Sequence, residues 1–217
     1  MQRLLTLLAA VLLTAPLVAQ RSADPDKMMQ GGAKLPPEWK ARLDGSYAKL
    51  DTVKWENTGT GFHVMTGPAG IFYPPRALGG AYETHATFTQ VEPSSHAEGY
   101  GLFIGGVDLQ GGGQKYTYFL LNQDAQFLIK RRAGAQTPTI IDWTSHAAIK
   151  KTDASRKMTN TLGIEVGTDK VRFLINGTEV TSQPAAKIDV NGIAGLRVNH
   201  NLNVQVEGFA VKSATSH

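Results

Sequence analysis

Apolar and polar residues alternate along most of this chain in short runs. The clearest run is Val171–Val180, V-R-F-L-I-N-G-T-E-V. Val171, Phe173 and Ile175 alternate with Arg172 and Leu174, the period-two pattern that sorts side chains onto the two faces of a strand. Asn176-Gly177 then supplies two positions that tolerate positive φ, so a tight turn into an antiparallel partner strand is predicted. Similar runs recur at Gly61–Thr66, Gly70–Tyr73, Ala81–Val91, Tyr100–Val107, Lys115–Asn122, Gln126–Arg132, Thr139–Trp143, Asn160–Val166, Glu179–Thr181, Ile193–Asn199 and Val204–Lys212. Gly, Pro, Asn and Asp bound them. Spacing of roughly 8–12 residues with short links predicts antiparallel strands in a sandwich or barrel. So many strands curl or split into two packed sheets. The expectation is an all-β, two-sheet antiparallel sandwich in one domain, residues 45–215.

The start of the chain has a different texture. Residues 1–19, M-Q-R-L-L-T-L-L-A-A-V-L-L-T-A-P-L-V-A, combine an early Arg, an apolar run and a small residue at the end. That is the pattern of a secretory signal peptide, the alternative being an uncleaved anchor. Residues 20–44 are polar and carry Gly-Gly and Pro-Pro, and they read as a flexible leader in which Trp39 is free to dock. No second apolar run follows, so no membrane span is expected after cleavage. An exported protein, periplasmic or extracellular, is expected.

Composition narrows the chemistry. The chain has no Cys among its 217 residues, which excludes disulfides, thiolate catalysis and zinc–thiolate sites. The formal net charge is a mild +4. The basic clusters, Lys130-Arg131-Arg132 and Lys150-Lys151, lack interleaved aromatics, so a nucleic-acid partner is not expected. The histidines lack a close two-His spacing, Asp108 lacks a D-x-D-x-D run, and Gly111-Gly112-Gly113 lacks the G-K-[ST] of a phosphate loop. No metal and no cofactor are expected.

Four segments together resemble the concanavalin A-like jelly-roll superfamily: A-Y-E-T-H-A-T-F; G-Y-G-L-F-I-G-G followed by K-Y-T-Y-F-L-L-N; N-T-L-G-I-E-V-G-T-D-K-V-R-F-L-I-N-G-T-E-V; and G-I-A-G-L-R-V-N-H-N-L-N-V-Q-V-E-G-F-A-V-K. Within it, Gly195–Lys212 is similar to the closing segment of the keto-disaccharide hydrolase-like domains of secreted bacterial proteins. Two departures stand out. Gly105 follows Gly101–Ile104 where that family has Arg, and Thr117 and Phe119 stand where its Y-E-x-Q strand has Glu and Gln.

The resemblance implies a carbohydrate or glycan held on a concave sheet. The absence of an acid pair spaced along one strand, which a retaining glycosidase needs, points to binding without catalysis. The alternatives are a divergent glycoside hydrolase of the keto-disaccharide type and an envelope protein-interaction module. Seven residues are candidates for ligand contact. Glu83 and His85 share a strand face with Thr87 and Thr89, either as a ligand-facing polar row or as an ordinary solvated face. Thr117 stands at the family's Glu position. Trp143 is either a platform for a sugar ring or a core residue. Arg197 and Asn199 alternate with Leu196 and Val198, either as a solvated face or, as the resemblance implies, near the ligand groove, and His200 at the following turn is open to both readings.

Overall fold

The computed structural model describes residues 25–213; the expected signal peptide lies outside the described residues. Fifteen strands form two antiparallel sheets among the described residues. The eight-stranded sheet holds β1 (Lys40–Leu43), β4 (Gly70–Tyr73), β5 (Ala77–Leu78), β7 (Tyr100–Val107), β8 (Lys115–Leu121), β9 (Gln126–Ala133), β10 (Thr139–Ser145) and β14 (Gly192–Val198). Its order is β1-β4-β14-β7-β8-β9-β10, with β5 paired to β14. The seven-stranded sheet holds β2 (Val53–Thr58), β3 (Gly61–Thr66), β6 (Tyr82–Gln90), β11 (Met158–Val166), β12 (Lys170–Ile175), β13 (Thr178–Pro184) and β15 (Asn203–Ser213), in the order β13-β12-β11-β6-β15-β3-β2. The chain passes repeatedly from one sheet to the other, as in a jelly roll. No helix among the described residues is long and apolar enough to cross a membrane.

Both inner faces are apolar. Phe88, Leu162, Ile164, Phe173, Val204 and Val206 from one sheet meet Tyr100, Leu102, Ile104, Phe119, Leu196 and Val198 from the other, all fully buried. β6 shows why the strand forms: its buried and half-buried positions alternate over all nine residues, Y-E-T-H-A-T-F-T-Q. The β12–β13 hairpin turns as predicted, with Asn176 and Gly177 at φ 52° and 80°, the geometry that matches the strand twist. Asn176 also ties the turn down. Its side-chain amide donates to the Ala148 carbonyl at 2.8 Å, and its side-chain oxygen accepts from the Thr161 amide at 2.9 Å.

Residues 25–44 depart from the expected leader. Lys40–Leu43 is an edge strand paired with Gly70–Tyr73. Upstream, the Met29 amide donates to the Thr52 carbonyl, and Ala33 bridges to Trp55. The reason is aromatic. β1 and β2 are edge strands of different sheets on one side of the sandwich, where the core would otherwise be open. Trp39 closes it, with ring centroids 5.8, 5.0 and 5.5 Å from Trp55, Phe62 and Phe209. Trp55, fully buried, stacks in turn on Phe72. Trp39→Ala is therefore expected to destabilise the domain by about 3 kcal/mol, the low end for removing a tryptophan side chain because Trp39 is only partly buried. Urea unfolding measures this, and an unchanged midpoint would return the segment to the role of a leader.

Candidate functional site

The outer faces of the two sheets differ in kind. β8, K-Y-T-Y-F-L-L, is buried on both faces. Phe119 and Leu121 enter the core between the sheets, while Tyr116, Tyr118 and Leu120 build a second cluster on the outer face with Ile71, Tyr73, Phe103, Leu109 and Leu128. Trp143 of β10 packs against this cluster. A Cβ at Gly99 would lie 3.1 Å from the Trp143 ring and 2.8 Å from Leu120, so glycine makes room for that packing.

Arg197 stands in the middle of this outer face. Register aligns Arg42 with Ile71, Ile71 with Arg197, and Arg197 with Gly101 across β1, β4, β14 and β7. Gly101 adds no side chain, and none would fit, since a Cβ there would sit 2.1 Å from the Phe119 carbonyl oxygen. The Arg197 guanidinium leans over the Tyr118 ring, 5.8 Å from its centroid, a cation–π distance. It donates to both carboxylate oxygens of Asp44, at 2.7 and 2.6 Å, and through Nε to Asn199 Oδ1 at 3.1 Å. The Asn199 amide donates to Glu98 Oε2 at 3.1 Å, and His200 Nε2 meets Glu98 Oε1 at 2.8 Å while its Nδ1 meets Asp26 at 3.2 Å. A continuous polar chain thus runs Asp44–Arg197–Asn199–Glu98–His200–Asp26.

The electrostatics follow from burial. Burial pushes the Asp44 carboxyl upward, but its bonds to Arg197 and the charges of Arg197, Arg132 and Arg42 outweigh this and hold it below its ordinary value. Burial likewise opposes the charge on Arg197, yet Tyr116 and Asp44 keep its pKa above the ordinary arginine value. Burial raises the phenols of Tyr116 and Tyr118, with Arg197 offsetting part of the shift. Asp44 and Arg197 therefore stay charged near neutral pH.

The candidate residues divide between the two sheets. Arg197, Asn199 and His200 come together, and Trp143 shares their sheet. Thr117 belongs to the same sheet but faces the core: it is fully buried, and its hydroxyl has no hydrogen-bond partner among the described residues. Alternation decides this, because Tyr116 and Tyr118 hold the outer positions on either side. Glu83 and His85 lie on the outer face of the seven-stranded sheet. There Glu83 pairs with Lys212 at 3.5 Å and stands in register opposite Glu165, which Arg172 neutralises. Thr87 and Thr161 exchange a hydroxyl bond of 2.7 Å on the same face. A shallow depression of about 710 Å³ opens beside Glu83, Glu165, Lys170 and Arg172. Asp26, Asp44, Glu98, Tyr116, Tyr118 and Arg132 escape the sequence reading. The one signal available was β8 itself, apolar on both faces, which marks a strand covered on both sides.

Two outcomes are expected. Thr117→Val removes a buried, unpartnered hydroxyl and should stabilise the domain by about 1 kcal/mol in thermal unfolding; a loss of stability would show that the hydroxyl has a partner. Asp44→Asn should cost about 2–3 kcal/mol at pH 7, because it strips a buried guanidinium of its counter-charge. Asp44 has a lowered pKa, so its stabilisation is present above its ordinary value of 3.8 and is lost as pH falls through the lower folded value. The gap between wild type and variant should therefore close below about pH 4. A gap independent of pH would remove the ionic reading of this pair.

No protein-family model matches the chain, and no curated protein matches it. Solved structures share its architecture. A carbohydrate-binding module, CBM66 from Bacillus subtilis, superposes with a TM-score of 0.60 at 11% identity, covering 86% of this chain and 99% of that one. A protein of unknown function with a galectin-like fold, also from Bacillus subtilis, gives 0.55 at 10% identity over 83% and 91% of the two chains. A GH16 protein of a mixed-linkage glucan locus in Bacteroides ovatus, solved with its G4G4G3G product, gives 0.55 at 7% identity over 80% and 94%. These likenesses show the fold: an all-β, two-sheet antiparallel jelly-roll sandwich.

Proposed function

We propose that this chain is an exported carbohydrate-binding sandwich that holds a glycan on the outer face of its eight-stranded sheet without cleaving it. The observation that carries the reading is the polar chain Asp44–Arg197–Asn199–Glu98–His200 beside the rings of Tyr118 and Trp143. A sugar presents an apolar ring face and a rim of hydroxyls, and it needs an aromatic surface next to fixed donors and acceptors. This face offers both, and its polar groups are held by one another rather than by solvent. The carbohydrate-binding module and the GH16 protein of the same fold support the reading. Export rests on the apolar start of the sequence, residues 1–19.

The site favours binding over hydrolysis. Asp44 and Glu98 are each held by neighbouring side chains, Asp44 in a bidentate ion pair. A general acid needs a carboxyl whose pKa is raised, and that of Asp44 is lowered. One observation favours the second reading, a divergent glycoside hydrolase of the keto-disaccharide type. Glu83 and Glu165 stand directly across from each other on β6 and β11, beside the 710 Å³ depression. Cross-strand neighbours have Cβ atoms about 5 Å apart, a spacing on the scale a retaining pair uses.

A glycan panel with residues 20–217 separates the two. Under the binding reading, Trp143→Ala should weaken the best ligand about tenfold, roughly 1.4 kcal/mol, and Glu83→Ala should leave affinity unchanged because it lies on the other sheet. Failure of every glycan to bind would sink the proposal. New sugar products that disappear with Glu165→Gln would establish the hydrolase instead.

A further inference from the structure

Three guanidiniums crowd the outer face of the eight-stranded sheet. Arg42 and Arg197 stand on either side of Ile71 in one cross-strand row, so their Cα atoms are two strand spacings, about 10 Å, apart. Arg132 stands opposite Tyr116, two residue pairs beyond the row of Tyr118 and Lys130. The amide oxygen of Gln114, a buried residue, faces both Arg42 and Arg132. It lies 3.3 Å from Arg42 Nη2, and 3.3 and 3.2 Å from Arg132 Nε and Nη2, in the amide orientation that the hydrogen bonds select. Two cations therefore share one neutral acceptor. The charges of all three arginines reach Asp44. Among the described residues, Asp44 is the only carboxylate paired with any of the three, and Arg197 takes both of its oxygens. The other polar contacts of Arg42 are the Leu109 and Gly111 carbonyls, which are also neutral.

Arginine does not relieve such crowding by losing its proton. In a partly desolvated place, like charges repel strongly. What relieves the repulsion is an anion, and the flat fork of a guanidinium matches a carboxylate or a sulfate. Arg42 and Arg132 are half-buried rather than sealed, so a ligand can reach them. The tyrosine cluster lies on the same face, Arg132 standing opposite Tyr116, and Trp143 packs at the Leu120 end of that cluster.

We infer that the glycan bound on this face is acidic, a sugar bearing an oxyanion (a uronate carboxylate or a sulfate ester) that lies between Arg42 and Arg132. This inference rests on the carbohydrate-binding reading and narrows it to one ligand class. The sugar ring lies toward Tyr118 and Trp143, and its charged group lies toward the Gln114 amide. Glycans of the same backbone without the charge lose the two-arginine contact.

The test is calorimetric titration of residues 20–217 with galacturonate oligomers, with the same oligomers after carboxyl reduction, and with chondroitin sulfate oligosaccharides. The expected result is binding of an acidic ligand that weakens at least tenfold on carboxyl reduction and falls steeply with added salt. Arg132→Gln should weaken the acidic ligand at least tenfold while its circular dichroism stays that of wild type. Binding of galacturonate assigns a carboxylate, and binding of chondroitin sulfate oligosaccharides that is lost on their desulfation assigns a sulfate ester. Should Arg132→Gln misfold, the reduced-oligomer comparison on wild type decides the matter without a variant. Equal affinity for acidic and reduced oligomers overturns the inference and leaves the carbohydrate reading standing. Absence of binding to any glycan, acidic or neutral, removes both.

Discussion

A guanidinium buried on the face of a β-sheet must have a counter-charge, and among the described residues Arg197 obtains one only from Asp44, 153 residues earlier in the chain. That pair organises much of the molecule. It places the end of β1 against β14 and so draws residues 25–44 onto the sandwich. It leaves Asn199, Glu98 and His200 to complete a chain of mutual hydrogen bonds. Each member is oriented by the next, which is the arrangement a preorganised recognition surface requires. A pair with a buried guanidinium and a partly exposed carboxylate contributes modestly to stability and specifies geometry.

The two sheets have separated their roles. The seven-stranded sheet turns an ordinary polar face outward, with threonine pairs and ion pairs such as Glu83–Lys212. Its neighbour carries aromatic rings on both faces of the same strands, and charge on its outer face. Burying Tyr116, Tyr118 and Phe103 on an outer face gains nothing for the inter-sheet core. What it supplies is a rigid floor that fixes the height and tilt of Arg197. Above that floor the guanidiniums outnumber the carboxylates paired with them among the described residues.

Most of the fold was legible in the sequence. The Asn176-Gly177 hairpin, the alternation of β6 and the full extents of β3, β4 and β7 follow from period and turn chemistry, which are local. The misses are instructive. β2, V-K-W-E-N-T, is an edge strand whose apolar side reduces to Val53 and Trp55, too short a pattern to separate from a loop. Lys40–Leu43 lacks any alternation of its own, and it is a strand because β4 offers it hydrogen bonds and Trp39 anchors it. Thr117 drew attention for where it falls in a family pattern, yet the tyrosines on either side of it dictate that it faces inward.

The sequence by itself determined the architecture, because alternation, turns and the lack of cysteine are written residue by residue. It also marked Arg197, Asn199, His200 and Trp143. Only the tertiary structure decided which of the candidates belong to one site, since that depends on which sheet each strand joins and on pairing across more than 100 residues. It alone placed Asp44 against Arg197, and Arg42 and Arg132 on a single amide. No local pattern encodes those meetings; they arise from strand order, and from the demand of a buried charge for its partner.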